Sequence, residues 1–372
     1  MKQFLIKVFD SFVGGIICYL IGLYLYDSKR VYTLPENPKR ILVIRPGGIG
    51  DMLLLLPTLC ALRNKYPEAQ IDVLCEQRNV QALEFAGIIN LTPIVYNKKP
   101  WLFIKELWQN SYDIAIDTEQ FHKISAIFAF ASGAPIRIGF KIAPKRNPLY
   151  THLINYDLIG YEADEFFKLL KCLNVESTLK PELTNIIKFD AETKENYKTI
   201  VIHPSASTEY KLWHRSRFVK LLLLIKEKYP NCEPIIVGSQ KEREYAMTLK
   251  HEFLAKDIKS TVVNGEYTLS DTAELISNAN LFIGSDSGLA HLAVLLDTPS
   301  ITMFGPSDAK KWGVQNNQHI CIFSKRTCAP CFIFGYQNPC KCKGCMRDIT
   351  VEEVFESVEK LLNTENGSST IS

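Results

Sequence analysis

Small, hydroxyl-bearing and charged residues collect in two loops of the second half of the chain, each directly after a β-branched run. Residues 203–211 read HPSASTEYK, and residues 284–291 read GSDSGLAH. Hydroxyl groups and a lysine can orient and neutralise a diphosphate, and small residues that open a helix make an anion site. The two loops predict a phosphate-binding site. A solvated first loop and a buried, satisfied His291 are the alternatives.

A third loop, residues 45–51 (RPGGIGD), follows the first predicted strand and contains one carboxylate, that of Asp51. Gly47, Gly48 and Gly50 let the backbone turn sharply and approach a ligand closely. Their spacing matches neither G-x-G-x-x-G nor the P-loop, so both nucleotide fingerprints fail here. A helix start keeps an aspartate ionised, which is the form that a general base requires. An ordinary N-cap is the alternative for Asp51.

A further acidic residue, Glu242, follows the second predicted strand of the second half. It could hold the hydroxyl groups of a ribose, as acids do in dinucleotide sites; an ordinary first-turn glutamate is the alternative. No two aspartates of the chain are separated by a single residue. The D-x-D arrangement that many sugar-nucleotide enzymes use to hold a divalent metal is therefore absent, and Lys211, helix dipoles and loop amides would meet the charge of a diphosphate.

These loops need a scaffold, and the pattern of the chain predicts an α/β fold with two parallel sheets. Short β-branched runs alternate with helical stretches from Arg40 onward, and the alternation restarts after a polar linker at 174–198. Parallel sheets covered on both faces have this pattern. We predict two Rossmann-like domains, residues 38–185 and 196–345, that face a central cleft. Ligands bind beyond the carboxyl ends of the strands in such sheets.

Both ends of the chain carry an additional predicted helix. Residues 1–30 include an uncharged apolar stretch, 11–26, that is shorter than the roughly 20 residues of a spanning helix. Its tyrosines and flanking cations suit a headgroup interface, so we predict a helix that dips into a membrane face; a helix packed on the protein's own surface is the alternative. An amphipathic helix at 350–363 is expected to pack back on a domain.

The composition excludes several classes of protein. The 372 residues are 47% hydrophobic and 22% charged, close to a typical folded globular protein. The net charge of +3 is too small for a protein that mainly neutralises nucleic-acid phosphates, so no nucleic-acid partner is expected. Eleven cysteines are present, but five of them fall within residues 328–345, and we expect a reducing compartment.

The ordered motifs resemble those of glycosyltransferase family 9, the lipopolysaccharide heptosyltransferases. They are RPGGIGD followed by Pro57, then Lys211-x-Trp213, then SDSGLAHL at 285–292. The resemblance covers about residues 40–360 and implies a GT-B fold. It also implies an inverting, metal-independent transfer from a nucleotide-activated sugar, usually ADP-heptose, to a lipid-linked inner-core acceptor. Such an enzyme needs no cofactor for transfer and works at the cytoplasmic face of the inner membrane.

The resemblance also assigns roles to single residues. Asp51 matches the family's proposed base, Lys211 its diphosphate-binding lysine and Glu242 its ribose-binding acid. Ser207 lies near the position of a phosphate-contacting hydroxyl. The loop that grips the sugar and phosphates of the donor corresponds here to Asp286, Ser287, Gly288 and His291. The chain departs from the family in having SAS at 205–207 instead of paired threonines, and in its apolar N-terminal extension and cysteine cluster.

A basic stretch, residues 137–146, concentrates cations in a predicted loop of the first domain. Inner-core acceptors carry phosphates and carboxylates, so Lys141, Lys145 and Arg146 are predicted acceptor contacts. A solvated loop without such a role is the alternative.

The cysteine cluster contains two C-x-x-C pairs, Cys328 with Cys331 and Cys342 with Cys345. Two such pairs can close a tetrahedral thiolate site, and their spacing is similar to that of a zinc knuckle or ribbon. We predict a structural zinc site; disulfides and free thiols are the alternatives.

Two other functions are compatible with the predicted sheets. A non-catalytic nucleotide-sugar-binding protein of envelope glycan assembly could lose Asp51, which this chain has. A dinucleotide-dependent oxidoreductase should show G-x-G-x-x-G at a domain start, and both starts lack it. The residues therefore favour a sugar-transfer enzyme.

Overall fold

The fold is described from a computed structural model that covers residues 10–26, 33–88, 91–95, 100–175, 198–265, 267–333, 336, 337, 340 and 344–364. The chain divides into two units, Met1–Glu182 and Leu183–Ser372. Most of the predicted linker at 174–198 lies outside the described residues, as do residues 1–9 and 27–30 of the N-terminal segment.

The first unit is a six-stranded sheet in the order β3-β2-β1-β4-β5-β6, and each strand pair is parallel. This is the strand order of a Rossmann fold. A π-helical turn, Asp10–Gly14, precedes its elements. The elements are α1 Gly15–Tyr26, β1 Arg40–Ile44, α2 Ile49–Lys65, β2 Gln70–Cys75, α3 Val80–Ala86, β3 Leu91–Val95, α4 Pro100–Gln109, β4 Ile114–Asp117, α5 Lys123–Ala131, β5 Ile136–Lys141, β6 His152–Asn155 and α6 Glu162–Lys168.

The second unit repeats this order as β9-β8-β7-β10-β11-β12, again with parallel pairs. A short antiparallel pair, β13 with β14, follows. The elements are β7 Lys198–His203, α7 Arg215–Lys228, β8 Cys232–Gly238, α8 Arg243–Leu254, β9 Thr261–Asn264, α9 Leu269–Ser277, β10 Leu281–Ser285, α10 Gly288–Leu295, β11 Ser300–Phe304, α11 Ala309–Trp312, β12 His319–Phe323, β13 Phe332–Ile333, β14 Tyr336–Gln337, α12 Cys345–Asp348 and α13 Val351–Thr364.

The prediction of two Rossmann-like parallel sheets is confirmed. The central strands are continuously apolar because both faces are covered: residues 41–44 of β1 and 200–202 of β7 are all buried. In each sheet the strand order reverses between the first and fourth strands, which pair directly as β1 with β4 and β7 with β10. Ligands of doubly wound sheets bind at this reversal point, beyond the carboxyl ends of the strands.

The sequence pattern missed β5, β6, α6 and β12, and also the short elements α11, β13, β14 and α12. The prediction of one loop over 137–146 is wrong for its first part, which forms β5. Arg137 interrupts the apolar run of that strand, but it is tolerated in the interior because its guanidinium donates to the carbonyls of Leu149 and Ala134 at 2.6 and 2.7 Å. Gly139 lets the Tyr150 ring lie against the strand, since a Cβ there would lie 2.6 Å from Cε1 of the ring.

The C-terminal helix α13 belongs to the core of the second unit. Val354, Val358 and Leu362 are fully buried in the cluster that also contains Trp213 and Phe218. The segment before α13 is tied to the same core, because the Trp213 indole donates to the carbonyl of Ile349 at 3.0 Å.

The N-terminal helix α1 packs on the first unit with one side only. Cys18 is fully buried, and a Cβ at Gly22 would lie 3.1 Å from Pro148. The carboxylate of Asp10, in the turn before α1, accepts hydrogen bonds from the first N–H groups of α5. The other side of the helix and turn exposes large apolar side chains, those of Phe12, Ile16, Tyr19, Leu20, Leu23 and Tyr24. Among the described residues, no helix has the length and apolar character needed to cross a bilayer.

Candidate functional site

Asp51 lies in the first turn of α2, beyond the carboxyl end of β1 and therefore at the reversal point of the first sheet. Its Oδ2 accepts a hydrogen bond from the Gly48 N–H at 2.8 Å, and its Oδ1 forms an ion pair with Nη2 of Arg45 at 2.8 Å. Gly48, not Asp51, is the N-cap residue. Gly47 has a φ of +152° and a Cβ there would lie 3.0 Å from Asp51 Oδ2, so the loop needs glycine to close around the carboxylate. The Asp51 side chain is still 31% exposed and can meet a substrate.

Arg45 is a functional residue that the sequence pattern did not indicate, although it is the first residue of the 45–51 motif that contains Asp51. Its guanidinium is buried: Nη1 donates to the carbonyl of Thr118 at 3.0 Å, lies 3.6 Å from Oε1 of Glu119, and the group stacks on Phe166 at 4.6 Å from the ring centroid. Burial alone would lower the pKa of Arg45, but Asp51 and Glu119 raise it above the ordinary value. Arg45 therefore remains a cation and holds Asp51 in one orientation.

Two further carboxylates lie beside this ion pair. Glu119 and Glu162 are both buried, and burial raises the pKa of Glu119 despite the attraction of Arg45. Glu162 accepts hydrogen bonds from the Gln120 amide and, at 2.5 Å, from the Tyr156 hydroxyl. Burial and the nearby carboxylate of Glu162 also raise the pKa of Tyr156, which keeps that hydroxyl protonated and able to donate.

In the second unit, the structure brings Lys211, Asp286 and His291 together. Nζ of Lys211 pairs with Oδ2 of Asp286 at 2.5 Å, and Nε2 of His291 lies 3.8 Å from Oδ1 of Asp286. Burial would raise the pKa of Asp286, but Lys211 and His291 hold it below its ordinary value. Asp286 follows β10, and Lys211 follows β7 in a short 3₁₀ turn, so the charged cluster lies at the reversal point of the second sheet.

Trp213 explains the spacing of the Lys211-x-Trp213 motif. Trp213 is fully buried, stacks edge-to-face on Phe218 with ring centroids 4.9 Å apart, and donates its indole N–H to the core carbonyl of Ile349. The tryptophan thus anchors the loop in the core, and the lysine two residues earlier extends to Asp286.

Glu242 connects to the same loops through His203. Its Oε2 accepts hydrogen bonds from the backbone N–H and the hydroxyl of Ser239, both at 2.6 Å, and its Oε1 lies 3.7 Å from Nε2 of His203. The other ring nitrogen of His203 lies 3.0 Å from Oγ of Ser287. Burial by itself would raise the pKa of Glu242, but the hydrogen bonds and the charge of His203 lower it to about 2. His203 is the first residue of the 203–211 loop, and the sequence pattern assigned it no role.

Two of the predicted donor residues make fewer contacts. Ser207 is exposed in the loop after β7, and Gly288 begins α10 with Ser287 as the N-cap residue. Both loops therefore present hydroxyl and N–H groups beyond the carboxyl ends of adjacent strands.

Comparison with known proteins explains this arrangement. The family model described as glycosyltransferase family 9 (heptosyltransferase) matches residues 101–342, more than half of the chain. The chain belongs to glycosyltransferase family 9. It is a glycosyltransferase, and its two sheets form the GT-B fold.

Several relatives of known role are similar to this glycosyltransferase. The chain is 27% identical over 295 residues to lipopolysaccharide heptosyltransferase 3 of Escherichia coli, covering 73% of this chain and 85% of the relative. It is 24% identical over 335 residues to lipooligosaccharide heptosyltransferase 2 of Campylobacter jejuni, covering 87% of this chain and 99% of the relative. The solved structure of E. coli ADP-heptose LPS heptosyltransferase II matches with a TM-score of 0.67 at 19% identity, over 88% of this chain and 99% of that one.

The three basic residues that were predicted to contact the acceptor differ in their exposure to solvent. Lys141 and Lys145 are exposed. Arg146, the third predicted acceptor contact, does not reach solvent, because its guanidinium is buried and pairs with Oδ2 of Asp117 at 2.7 Å. The Tyr150 hydroxyl donates to the same carboxylate oxygen at 2.6 Å, so Arg146 is a core residue.

The cysteine cluster is described only in part. Cys328 is exposed, Cys331 is half-buried and Cys345 is buried, whereas Cys342 lies outside the described residues. Burial raises the pKa of Cys345, and the nearby thiols of Cys331 and Cys340 raise it further. Within the part of the chain that the structure covers, no group of three or more His, Cys, Asp or Glu side chains could hold a metal ion.

Replacing Glu242 by Gln should reduce the acid sensitivity of the fold. Because the folded-state pKa of Glu242 is about 2 and its ordinary value is 4.5, its contribution to stability is complete above about pH 4.5. This contribution, about 1–2 kcal/mol once solvent screening of the partly exposed carboxylate is allowed for, is lost as the pH falls towards 2. Urea unfolding at about pH 6 and about pH 3 should show a smaller loss of unfolding free energy for Glu242→Gln than for the wild type.

Glu244→Gln is the matched control for this measurement, since Glu244 is exposed on α8. The control should lose as much unfolding free energy between the two pH values as the wild type does. Equal losses in Glu242→Gln and the wild type would contradict the stabilising role of the Glu242 carboxylate.

Proposed function

We propose that this glycosyltransferase transfers heptose from ADP-heptose to the lipopolysaccharide core or a related lipid-linked glycan, with inversion and without a metal ion. The observation that carries the proposal is the position of its charged groups. A solvent-reachable carboxylate lies at the reversal point of the first sheet, and a cluster of one lysine, one aspartate and one histidine lies at that of the second. The printed roles of the relatives, lipopolysaccharide and lipooligosaccharide heptosyltransferases, support the substrate class.

The second unit is proposed to hold the donor. Lys211 would neutralise the diphosphate, and the N–H groups at the start of α10, with the hydroxyls of Ser207 and Ser287, would orient it. Glu242 remains ionised at neutral pH, as its pKa of about 2 requires, and can accept hydrogen bonds from ribose hydroxyls. Asp286, Gly288 and His291 would contact the sugar and phosphates. The absence of a D-x-D motif in the sequence supports a metal-independent reaction.

The first unit is proposed to supply the base. Asp51 removes the proton of an acceptor hydroxyl, and that oxygen attacks the anomeric carbon of the donor. The bond from the anomeric carbon to the diphosphate oxygen breaks on the opposite face, so the configuration inverts. The leaving diphosphate takes the electron pair, and Lys211 and the α10 dipole stabilise its charge. The exposed Lys141 and Lys145 remain the proposed contacts for acceptor phosphates.

Asp51→Asn should lower the rate of heptose transfer by about 10²–10⁴-fold, because the amide cannot accept the proton. Binding of ADP-heptose, measured by calorimetry, should survive in this variant. Lys211→Ala should instead weaken donor binding, since the diphosphate loses its cation. Asp257→Asn, the same change at a side chain that is 96% exposed, should leave transfer unchanged. Near-wild-type transfer by Asp51→Asn would show that Asp51 is not the base.

We further propose that α1 and the turn before it attach the protein to the cytoplasmic face of the inner membrane. The exposed apolar side chains lie on the side of α1 opposite to the buried Cys18, as expected for a helix that lies in the plane of an interface. The exposed Lys145 side chain passes close to Gly15 of α1, so a cation lies beside this helix.

Replacing Leu20 and Leu23 together by Glu should reduce sedimentation of the protein with vesicles of phosphatidylethanolamine and phosphatidylglycerol by roughly tenfold or more. Both side chains are exposed, at 58% and 54%, so the fold should survive the change. Leu254→Glu, at a similarly exposed leucine of the second unit, is the control and should sediment like the wild type. An unchanged membrane-bound fraction for the double variant would reject this attachment surface.

The cysteine cluster is proposed to hold a structural zinc ion through Cys328, Cys331, Cys342 and Cys345. Thiolates are the ligands that such sites use, and the proximity of Cys331 and Cys345 supports a shared site, in which Cys342 would be a further ligand. Bound zinc would stabilise the fold around β13 and β14 and would take no part in the transfer.

Purified protein should contain about one zinc ion per chain by elemental analysis, and Cys345→Ser should lose it. Cys232→Ser, at a half-buried cysteine of β8, is the control and should keep the metal. Zinc-free wild-type protein in which every thiol reacts with a titrant would refute the zinc site.

A further inference from the structure

The ion pair that orients Asp51 raises a chemical difficulty for a base. An arginine at 2.8 Å from a carboxylate stabilises the ionised form and so weakens its affinity for a proton. A guanidinium that paired with Asp51 alone would therefore fix the position of the base and reduce its basicity at the same time.

Arg45 does not pair with Asp51 alone. Its other terminal nitrogen lies 3.6 Å from the carboxylate of Glu119, and Glu162 also acts on its charge. One buried cation is thus surrounded by three carboxylates, of which only Asp51 is substantially exposed to solvent. Charges interact more strongly in a buried environment than in water, so the negative charge of ionised Glu119 offsets part of the effect of Arg45 on Asp51.

We infer that Glu119 is a positioning residue for the reaction: it shares the Arg45 guanidinium with Asp51, and so keeps the Asp51 carboxylate both oriented and basic. The inference rests on the proposed role of Asp51 as the base. Glu119 acts from the loop after β4, which pairs directly with β1. The strand order of the first sheet therefore brings together two acids that are far apart in the sequence.

The other charged groups around Glu119 are already paired. Asp117 is held by Arg146 at 2.7 Å, and His122 lies 3.7 Å from Asp10. Glu162 accepts hydrogen bonds from Gln120 and Tyr156. Arg45 itself cannot turn away, since the Thr118 carbonyl and the Phe166 ring hold the guanidinium. Glu119 is thus the carboxylate that acts on Asp51 through Arg45 at an ion-pair distance.

The test is the titration of the Glu119 carboxyl group with and without the charge of Asp51. Burial raises the pKa of Glu119, whereas Arg45 and the Gly48 N–H stabilise ionised Asp51, so Glu119 gains its proton first as the pH falls and its midpoint senses the Asp51 charge. Protein labelled with ¹³C at the glutamate side-chain carboxyl is titrated by NMR, and the Glu119 signal is assigned by its loss in Glu119→Asp. The midpoint should move to lower pH by about half a unit to one unit in Asp51→Asn, whereas Asp257→Asn, at an exposed side chain, should leave it unchanged.

The reaction should report the same coupling. In the wild type the rate of transfer from ADP-heptose should fall as Glu119 is protonated, because Asp51 then becomes a weaker base. Glu119→Gln lacks this step, so the acidic limb of its pH profile should lie at lower pH. The plateau rate should fall several-fold because a weaker base removes the proton less readily. A merely structural role of Glu119 would lower the rate without moving the limb.

The titration of Glu119 does not depend on the folding of Glu119→Gln. An unshifted Glu119 midpoint in Asp51→Asn, together with an unmoved acidic limb in Glu119→Gln and an inactive Asp51→Asn, would overturn the inference alone. Retained transfer by Asp51→Asn would instead overturn the proposed role of Asp51.

Discussion

The ion pair between Arg45 and Asp51 is the interaction on which the candidate base depends. A carboxylate at the start of a helix could turn towards solvent in several rotamers, but here one oxygen is held by a guanidinium and the other by a backbone N–H. The guanidinium is in turn fixed by a carbonyl and a ring of the surrounding unit. The exposed carboxylate is therefore oriented by a buried group, and its orientation does not require a substrate.

The second unit uses the same principle with different residues. A fully buried tryptophan anchors the loop that carries Lys211, and a buried aspartate holds the lysine. Glu242 is fixed by Ser239 and contacts the neighbouring loop through His203. In both units charged groups follow the first and fourth strands, Asp51 with Glu119 and Lys211 with Asp286, where the reversal of strand order leaves room beyond the sheet edge. Glu242 instead follows the second strand of its sheet.

Much of the fold was predictable because it depends on local pattern. Continuous apolar runs such as Ile200-Val201-Ile202 identify buried parallel strands wherever they occur. Elements whose pattern is broken by a polar residue were missed, as with β5, where Arg137 is satisfied by carbonyls that come from other parts of the chain. Asp51, Lys211 and Glu242 could be chosen as candidates from residue type and position, because their loops follow recognisable strands, and Asp286 from the resemblance to the family.

The sequence by itself determined the two parallel sheets, the loops that carry candidate functional residues and the family to which the chain belongs. Only the tertiary structure decided which side chains meet. Arg45 with Glu119, Arg146 with Asp117, and His203 with Glu242 are pairs between separate elements, and no local periodicity encodes them. Lys145 and Arg146 illustrate this, because they are adjacent basic residues with different environments. Lys145 is exposed to solvent, whereas Arg146 pairs with the buried carboxylate of Asp117 in β4. Burial and pairing depend on strand order, and strand order is a property of the whole sheet.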